Sequence, residues 1–472
     1  MAMTRDEPKV VCIPKPPRLD PEDSDAKHLS DTDIANARRF VQQHRESVRW
    51  TPERGWFVWD GRRWQVDDLG RVMVKAKETV EAIFDEIRKA NDKDAMFRWA
   101  KRSQSAKTIK DMLYLSRSDP RITARLADFD ADPWILNCKN GVINLRTGEL
   151  RDHDAGLLCS RLVPVVYEPD AQADRWRAFL DRITDYDDDL KYFLQLAVGY
   201  SLTGSTREQC LLFCYGTGAN GKTVFLETLQ HLFGDYGLNS RTETIMARRD
   251  SGIPNDVARL AGARLVAINE TADNQRLNEP LVKDMTGGDT MTARFLHREY
   301  FDFRPMFKLW LRGNHKPTIR GTDEGIWRRI RLIPFAVTIP DAERDPDLIE
   351  KLAEELPGIL VWAVQGCLDW QREGLVVPSV VSDAVTEYRC EMDIVGQFVE
   401  DRCSLTLRAQ VTAKALYAAY RKWAEESGEH AVNQRRFGLA MVERGFNKSK
   451  ERGGIVYHGI ELPAPAHWND DL

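Results

Sequence analysis

The sequence predicts an α/β fold in which helices cover a sheet of short buried strands. The first observation is an apolar run, 209–215, followed by a glycine-rich loop and then by apolar residues at helical spacing over 224–233. The second is that two later apolar runs, 264–270 and 307–314, each end in a polar residue. Because ligands bind where the carboxyl ends of parallel strands meet, we expect a site at that edge of the sheet.

The glycine-rich loop, 216–223, reads GTGANGKT and matches the phosphate-binding pattern G-x-x-x-x-G-K-[ST] at every fixed position. Its glycines let backbone N–H groups approach phosphate oxygens, and the helix N-terminus adds a partial positive charge. Lys222 would reach the β- and γ-phosphates of ATP, and the Thr223 hydroxyl would hold Mg²⁺. The alternative is a turn without chemistry, which the flanking strand and helix disfavour. The predicted nucleotide-binding residues are Gly216, Thr217, Gly218, Ala219, Asn220, Gly221, Lys222 and Thr223.

Length and composition limit the class of protein. A chain of 472 residues is too long for one compact core, so we expect about two to four domains. The formal net charge of −5 excludes a chain that is basic throughout, so contacts with nucleic acid must come from local patches. The eight cysteines include no C-x-x-C pair, and no apolar run approaches the roughly 18 residues of a membrane helix. We therefore expect a cytoplasmic protein without membrane contact or zinc site.

The first third of the chain reads as a tail and an accessory domain. Residues 1–30 carry five prolines among charges, which is typical of a flexible segment. We assign 31–170 to one mixed α+β domain that begins with a helix at 31–43. It continues with a long helical region at 72–101 and a second helix at 108–116.

Turn signals and tryptophans mark small strands in the same domain. Asp60-Gly61 predicts a hairpin, and Asn140-Gly141 predicts another. Tryptophans this dense could stack on nucleic-acid bases or form a small core that lacks aliphatic residues, and we favour the core. The tryptophans are Trp50, Trp56, Trp59 and Trp64.

The run 264–270 ends in Asn269 and Glu270. A phosphate-loop enzyme needs a carboxylate at this point to polarise the attacking water, and Glu270 is the candidate. Many such sites carry a second acid one residue earlier. Asn269 stands there instead, and its amide can hold a Mg²⁺-bound water but carries no charge. The alternative is a strand that ends in glutamate by chance, which the loop upstream disfavours.

Three polar features follow the acid. Strand-like runs at 290–295 and 301–307 flank a polar segment and predict a hairpin. Asn314 ends the next buried run, and its amide can hydrogen-bond the attacking water or the γ-phosphate. Arg328 and Arg329 then lie among apolar residues. A basic pair is more often a solvated face, but these apolar neighbours favour a phosphate-binding arginine, supplied to a neighbouring subunit as an arginine finger.

The remaining segments are helical. The segment 171–205 has faces that could form a subunit contact, although most such faces pack on their own domain. Residues 386–472 read as three short helices followed by strand and turn, which predicts a winged helix-turn-helix. Arg435 and Arg436 would supply DNA phosphate contacts there. The alternative for this small module is a protein contact.

Five ordered blocks then identify a family resemblance: GTGANGKT, VAINE, LVKDMTGGDTMTARFLHREYFDF, KLWLRGNHKP and RGTDEGIWRRIRLIPF. Together they resemble a superfamily 3 helicase, specifically the phage and plasmid primase–helicase family that is related to the poxvirus helicase–primase. The resemblance is strong over 205–340 and weaker over the domain before it. It implies an AAA+-like P-loop NTPase core with an N-terminal α+β accessory domain and a C-terminal winged-helix-like domain. We divide the chain into a flexible tail (1–30), the accessory domain (31–170), a helical oligomerisation segment (171–205), the ATPase core (206–345), a helical connector (346–385) and the C-terminal domain (386–472).

The resemblance also implies residue roles. The loop is Walker A, Glu270 belongs to Walker B, and Asn314 is the sensor. The hairpin contacts DNA and directs His297 and Arg298 into a central channel. The implied catalytic residues are Lys222, Glu270, Asn314, Arg328 and Arg329, the metal-site residues are Thr223, Asn269 and Glu270, and the DNA-binding residues are Arg294, His297, Arg298, Arg435 and Arg436.

The family implies a homo-hexameric ring that uses ATP and Mg²⁺ to translocate on single-stranded DNA at forks. The geometry of such contacts is consistent with a ring. A finger supplied by a neighbour places each ATP site at a heterologous interface, and heterologous contacts close into rings. A ring also gathers the hairpin tips around one axis. A modest basic patch then becomes a dense positive collar for the phosphate backbone.

Three hypotheses compete. The first is a ring helicase that replicates a phage, plasmid or other mobile element. The second is a replication-initiator ATPase that binds or loads on origin DNA without unwinding it. The third, a P-loop kinase, is disfavoured because no lid or acceptor-base motif is present. Only about 30 residues precede the accessory domain. That is too few for a polymerase domain, so we expect a helicase rather than a primase, with a separately encoded primase as a candidate partner.

Overall fold

The computed structural model describes residues 31–247, 255–269, 275–294, 300–319 and 324–463. The predicted tail lies outside the described residues. The chain divides into two compact units. Among the described residues, the first unit comprises 31–60 and 64–128, and the second comprises 61–63 and 129–463.

The first unit combines α-helices with a small antiparallel sheet. Its helices are α1 (Asp33–His44), α2 (Arg71–Glu86), α3 (Lys93–Ser103) and α4 (Ala106–Ser116). Its strands are β1 (Val48–Thr51), β2 (Gly55–Trp59) and β3 (Trp64–Val66), paired in the order β1–β2–β3.

Capping residues set the helix boundaries of this unit. The helix predicted at 31–43 is confirmed as α1, and Thr32 begins it by accepting a hydrogen bond from the N–H of Ala35. The long helical region predicted at 72–101 is confirmed, and the structure divides it into two helices, α2 and α3. Asp92 accepts a hydrogen bond from the N–H of Ala95 and so caps the start of α3 as a separate helix.

The tryptophans of the first unit pack on one another. Trp59 and Trp64 are paired across the predicted β2–β3 hairpin, with ring centroids 5.7 Å apart. Trp50 and Trp56 meet edge to face at 5.2 Å, and the guanidinium of Arg117 lies 4.1 Å from the ring centroid of Trp50. The tryptophans thus pack on one another as a core interpretation expects, but the expected lack of aliphatic residues is wrong, because Val48, Val58 and Ile109 are buried in the same unit.

The second unit contains the larger set of elements. Its helices are α5 (Asp174–Ile183), α6 (Asp188–Leu202), α7 (Lys222–Phe233), α8 (Asn255–Ala258), α9 (Glu279–Gly287), α10 (Glu324–Trp327), α11 (Leu348–Glu354), α12 (Leu356–Glu373), α13 (Ser379–Met392), α14 (Ile394–Arg402), α15 (Ala413–Glu426) and α16 (Gln434–Glu443). Its strands are β4 (Ile135–Cys138), β5 (Gly141–Asn144), β6 (Glu149–Arg151), β7 (Leu211–Tyr215), β8 (Gly237–Ser240), β9 (Leu265–Asn269), β10 (Met291–Arg294), β11 (Tyr300–Phe303), β12 (Lys308–Gly313), β13 (Ile330–Pro334), β14 (Gln410–Thr412), β15 (Lys448–Glu451) and β16 (Gly454–His458).

A five-stranded parallel sheet is the centre of the second unit. Its strand order is β13–β7–β12–β9–β8. Strands β7, β9 and β12 are buried over nearly their whole length, which explains why they read as short continuous apolar runs. The α/β prediction and these three predicted strands are confirmed.

The hairpin β4–β5 belongs to this unit. Leu136 and Ile143 lie in the same buried cluster as Trp176 and Phe193, which are on the helices before the phosphate loop. The structure therefore places 129–170 with the central sheet rather than with 31–128.

Helices α6 and α12 touch through glycines. A Cβ added at Gly199 would lie 2.1 Å from the backbone nitrogen of Cys367, and one added at Gly366 would lie 2.2 Å from the carbonyl oxygen of Gln195. Much of the segment 171–205 is thus packed inside its own chain. Its oligomerisation role stays a prediction that concerns the exposed face of α5.

Residues 394–463 form a separate small core. Helices α14, α15 and α16 bury Phe398, Tyr420 and Phe437 together, and β16 lies between β14 and β15 in an antiparallel sheet. The three predicted helices are confirmed. The boundary predicted at 385/386 falls inside α13, which packs on the central sheet, so this module begins at α14.

Two buried cations fix the amino-terminal edge of the central sheet. The guanidinium of Arg264 donates hydrogen bonds to the carbonyl oxygens of Leu202 and Ile135, at 2.5 and 2.8 Å. The ammonium group of Lys308 donates to the carbonyl oxygens of Met306, at 3.0 Å, and Thr203. Burial lowers the pKa of Lys308 well below its usual value, and the charge of Arg264 adds to the shift.

The pKa of Lys308 makes stability depend on pH. Between its lowered folded-state pKa and the unfolded-state value of about 10.4, the unfolded chain binds a proton that the native chain does not. The free energy of unfolding should therefore rise with pH in that window, by at most about 1.4 kcal/mol per pH unit. In urea denaturation from about pH 7 to about pH 9.5, Lys308→Met should lose this rise. Lys414→Met, at an exposed lysine, should keep it. Identical pH dependence in the wild type and Lys308→Met would contradict the assignment.

Candidate nucleotide site

The phosphate loop connects β7 to α7 with an unusual backbone. Gly218, Ala219 and Gly221 have φ angles of 114°, 50° and 86°, in the left-handed region that favours glycine. Ala219 is not a glycine, and such strain is typically retained at functional sites. The loop is held at two points, because the amide of Asn220 donates to the carbonyl oxygen of Phe335 at 2.9 Å and the carbonyl oxygen of Ala219 accepts from the N–H of Ile339 at 2.7 Å.

The glycines of the loop have different roles. A Cβ at Gly216 would lie 2.3 Å from Asn220 Nδ2, and one at Gly221 would lie 2.5 Å from Ile183 Cγ2, so these two positions have no space for a side chain. Around Gly218 no described atom lies within 4 Å of an added Cβ. The loop is therefore packed against the protein at its ends and open in its middle. With backbone N–H groups and a helix N-terminus at this opening, the residues fit a phosphate group.

The side chain of Lys222 is hydrogen-bonded to other residues of the loop. Its ammonium group is buried and donates hydrogen bonds to the carbonyl oxygen of Gly216 at 2.7 Å and to Asn220 Oδ1 at 2.8 Å. Burial lowers the pKa of Lys222, and the charge of Arg312 lowers it further. Thr217 and Thr223 are exposed beside it. Thr223, which directly follows Lys222 at the start of α7, has the position of the motif hydroxyl that could hold Mg²⁺.

Strand pairing brings three predicted features to one edge of the sheet. Strand β12 lies between β7 and β9, with Gly313 opposite Tyr215 and Arg312 opposite Asn269. Asn314, which follows β12 and is exposed, is therefore next to the start of the loop, since neighbouring strands are about 4.8 Å apart. Asn269 is exposed at the end of β9.

Glu270 lies outside the described residues. Its role as the water-polarising acid stays a prediction that rests on its position directly after Asn269. Within the described part of the chain, no group of three or more histidine, cysteine, aspartate or glutamate side chains is placed to hold a metal ion. A polar cleft of about 760 Å³ lies beside Asn269, lined in part by Arg241, Asp256 and Arg259.

The sequence interpretation missed Arg312. Its side chain is only 16% exposed, and Nη1 lies 3.7 Å from Glu227 Oε1 on α7. The signal that could have revealed it is a charged residue near the carboxyl end of an otherwise apolar strand.

The segment after Asn314 is anchored to α13. Both carboxylate oxygens of Glu391 lie 2.8 Å from Lys316 Nζ. The hydroxyl of Tyr388 donates a hydrogen bond to the carbonyl oxygen of Pro317. These contacts were also not predicted from the sequence, because they join positions about 70 residues apart.

The predicted hairpin is confirmed as the antiparallel pair β10–β11. Arg294 pairs with Tyr300, and its guanidinium lies 5.1 Å from the Tyr300 ring centroid. Tyr300 is 58% exposed. His297 and Arg298 lie outside the described residues, so their place at the hairpin tip and their contacts with DNA stay predictions.

The two arginines of the finger prediction differ in their surroundings. Arg329 is buried and donates from Nε to Thr286 Oγ1 at 3.1 Å, whereas Arg328 is exposed and bonds Gln209 Oε1 at 3.3 Å. Both precede β13, whose first residue is level with the first residue of β7. They therefore lie at the opposite edge of the sheet from their own loop, about 13 Å away along β7. Of these two arginines, Arg328 is the one with an exposed side chain.

The C-terminal module carries exposed positive charge. Asn433 caps α16 by accepting a hydrogen bond from the N–H of Arg436 at 3.0 Å. Arg435 is exposed at this helix start and Arg436 is half-buried. Lys448 and Lys450 are exposed on β15. Over the described residues, no helix has the length and apolarity needed to cross a lipid bilayer.

Three segments of the chain match known families. Residues 37–185 match the family described as D5 N terminal like, and residues 390–459 match the family described as Poxvirus D5 protein-like. Residues 214–329, which include the phosphate loop, match a family of unknown function.

Individual relatives come from large DNA viruses. A protein of Acanthamoeba polyphaga mimivirus named "Putative helicase" is 28% identical over 324 residues, which cover 63% of this chain and 34% of that protein. A protein of Frog virus 3 (isolate Goorha) named "Putative helicase 022R" is 30% identical over 272 residues, which cover 53% of this chain and 28% of that protein. The chain thus spans about a third of the length of these curated relatives.

Among solved structures, the A-form apo structure of the NrS-1 C-terminal region is similar to this chain with a TM-score of 0.51 and 11% identity. The similarity covers 88% of this chain and 96% of that one. It concerns the fold.

The packing around Gly216 predicts a sharp substitution effect. In Gly216→Ala the new Cβ would clash with Asn220 and with the carbonyl oxygen of Phe335, so the loop cannot keep its shape. We expect a destabilisation of about 1–3 kcal/mol and at least about tenfold weaker binding of a fluorescent ATP analogue. The control is Ala219→Gly, which relieves a positive φ and should bind the analogue about as well as the wild type. Wild-type affinity in Gly216→Ala would contradict the proposed loop geometry.

Proposed function

The chain belongs to the poxvirus D5-like helicase–primase family, and from that premise we propose that it is an ATP-hydrolysing DNA helicase that acts in replication of a phage, plasmid or other mobile element. The observation that carries the proposal is the position of the GTGANGKT loop beside Asn314 and Asn269, at the carboxyl edge of three neighbouring parallel strands. This arrangement places phosphate-binding groups next to polar side chains that can orient water.

In the proposed reaction, the loop backbone and Lys222 bind the β- and γ-phosphates of ATP. Thr223 would hold Mg²⁺, and Asn269 would hold one of the waters on that ion. Held there, Mg²⁺ would supply positive charge to offset the negative charge that develops on the phosphates. Glu270 polarises the attacking water, and Asn314 orients that water or the γ-phosphate. Asn269 in place of a second acid leaves the site with one fewer negative charge than the paired-acid pattern.

The proposed assembly is a homo-hexameric ring. Arg328 is exposed at the sheet edge opposite its own loop, so a finger role requires the loop of an adjacent subunit. Such a contact is heterologous, and repeated heterologous contacts close into a ring. ATP would then be cleaved between subunits, where hydrolysis can move one subunit relative to the next.

The proposed substrate is single-stranded and forked DNA. Arg294 lies at the end of the β10–β11 hairpin, and we assign His297 and Arg298 to the channel that encloses the strand. We further propose that the C-terminal module is a winged helix, since its order is helix, strand, helix, helix and hairpin. In that arrangement Arg435 and Arg436, at the start of α16, contact DNA phosphates. A separately encoded primase is the proposed partner at the fork.

Strand displacement on a forked duplex tests this function. The wild type should release the labelled strand with ATP and Mg²⁺ but not with a non-hydrolysable analogue. Lys222→Ala should lose ATP hydrolysis, and Glu270→Gln should bind ATP without cleaving it, so neither should unwind. Wild-type hydrolysis that is stimulated by DNA without any unwinding would instead identify the initiator ATPase. Unwinding that continues with the analogue would exclude the helicase mechanism.

Mixing experiments test the arginine finger. Arg328→Ala should abolish hydrolysis, because an arginine finger is worth about 10³–10⁵ in rate. In an equal mixture of Arg328→Ala and Lys222→Ala chains, about a quarter of the interfaces combine an intact loop with an intact finger, so about a quarter of the activity should return. The control is Arg329→Ala, which removes bonds inside its own chain, and it should lower the melting temperature without rescue by mixing. Failure of Arg328→Ala to be rescued would contradict the shared site.

A further inference from the structure

Arg312 occupies a position that no motif of the sequence assigns. It is the second-last residue of β12, with Cys214 of the loop strand on one side and Asn269 on the other. Side chains alternate along a strand, so Arg312 shares a face with Trp310. Trp310 packs on Phe225 of α7, with ring centroids 5.8 Å apart. Arg312 therefore lies on the face of the sheet that α7 covers, close beneath the phosphate loop.

The guanidinium of Arg312 is poorly satisfied. Its Nη1 is buried and has no hydrogen-bond partner among the described residues. The carboxylate of Glu227 is 3.7 Å from Nη1, which is too long for a hydrogen bond. Glu227 follows Thr223 by one helical turn on α7, so both project from one side of that helix. A buried donor without a partner costs free energy, which a suitable acceptor would recover.

A second cation lies close by. Arg312 lowers the pKa of Lys222 in addition to the effect of burial, which shows that the two positive charges act on each other. Glu227 compensates only part of this charge, since its side chain is 45% exposed and screened by solvent. Two neighbouring cations beneath an anion-binding loop are stabilised when an anion enters.

We propose that Arg312 is a second phosphate-binding cation of this site, and that it donates a hydrogen bond from β12 to the terminal phosphate of a bound nucleoside triphosphate. This inference rests on the proposed ATPase function. Strand β12 separates the loop strand from the strand that leads to Glu270, so a group on it faces the terminal phosphate rather than the base or ribose. Arg312 would therefore distinguish a triphosphate from a diphosphate, while Lys222 binds both.

The competing explanation is structural. Arg312 and Glu227 could serve only to hold α7 against the sheet. In that case, removal of either partner should lower the melting temperature to a similar extent, and nucleotide affinity should change in parallel for both. Glu227→Gln is the matched control, because it removes the ion pair and leaves the arginine in place.

The experiment uses the full chain in four forms: wild type, Arg312→Met, Arg312→Lys and Glu227→Gln. Affinities for a fluorescent non-hydrolysable ATP analogue and for the corresponding ADP are measured, with melting temperatures for each protein. We expect Arg312→Met to weaken triphosphate binding at least about tenfold and diphosphate binding less than about threefold. Arg312→Lys should recover part of the triphosphate affinity, and Glu227→Gln should stay within about twofold of the wild type.

Two results would overturn the proposal. One is equal weakening of triphosphate and diphosphate binding in Arg312→Met. The other is a Glu227→Gln protein that reproduces the affinities of Arg312→Met. If Arg312→Met does not fold, the comparison of Arg312→Lys with Glu227→Gln decides in the same way. Failure of the wild type to bind the triphosphate analogue, with Lys222→Ala no different, would contradict the proposed function itself.

Discussion

The parallel pairing of β12 between β7 and β9 is the constraint on which the candidate site depends. Its register places Gly313 level with Tyr215, and Arg312 level with Asn269. A shift of one residue would turn every side chain of β12 to the opposite face, removing Arg312 from α7 and Trp310 from its packing partner. The register is fixed at the other end of the sheet by Arg264 and Lys308, whose buried side chains donate hydrogen bonds to backbone carbonyls. The hydrogen bonds at the amino-terminal edge of the sheet thus hold the strand register that positions side chains at the carboxyl edge.

The phosphate loop depends on elements outside the strand and helix that define its motif. Asn220 is bound to Phe335 and Ala219 to Ile339, both beyond β13, and Gly221 is in contact with α5 at Ile183. Loop shape is therefore imposed by two elements outside the motif, α5 and the segment after β13. This accounts for a positive φ at Ala219, since the surrounding structure rather than the local sequence determines that conformation. It also explains how the loop stays open at Gly218 while its ends are tightly packed.

The sequence predicted features that have a local signal. The loop, its strand and its helix were found because the pattern is written in consecutive residues, and the three C-terminal helices because apolar residues recur at helical spacing. The sequence interpretation did not mark the break between α2 and α3, although Asp92 is a capping residue. Arg312 and the anchoring of the sensor segment by Tyr388 were missed for another reason. Their environments come from strand register and from contacts between distant positions, which no single stretch of sequence records.

Helix α13 is bound both to the segment after Asn314 and to α10. It binds the segment after Asn314 through the ion pair between Glu391 and Lys316, near the candidate nucleotide site of the same chain. It also binds α10, which precedes Arg328, through an ion pair of 2.6 Å between Arg389 and Glu324. Directly after α13, Asp393 caps α14 and pairs with Arg444 at the end of α16. Helix α13 and the residue after it therefore contact the segment that follows Asn314, the start of α10 and the end of α16. If Asn314 senses ATP cleavage in a ring, as proposed, a displacement of its segment would be accommodated by α13 or by loss of these ion pairs, and either outcome would reach the neighbouring site through Arg328.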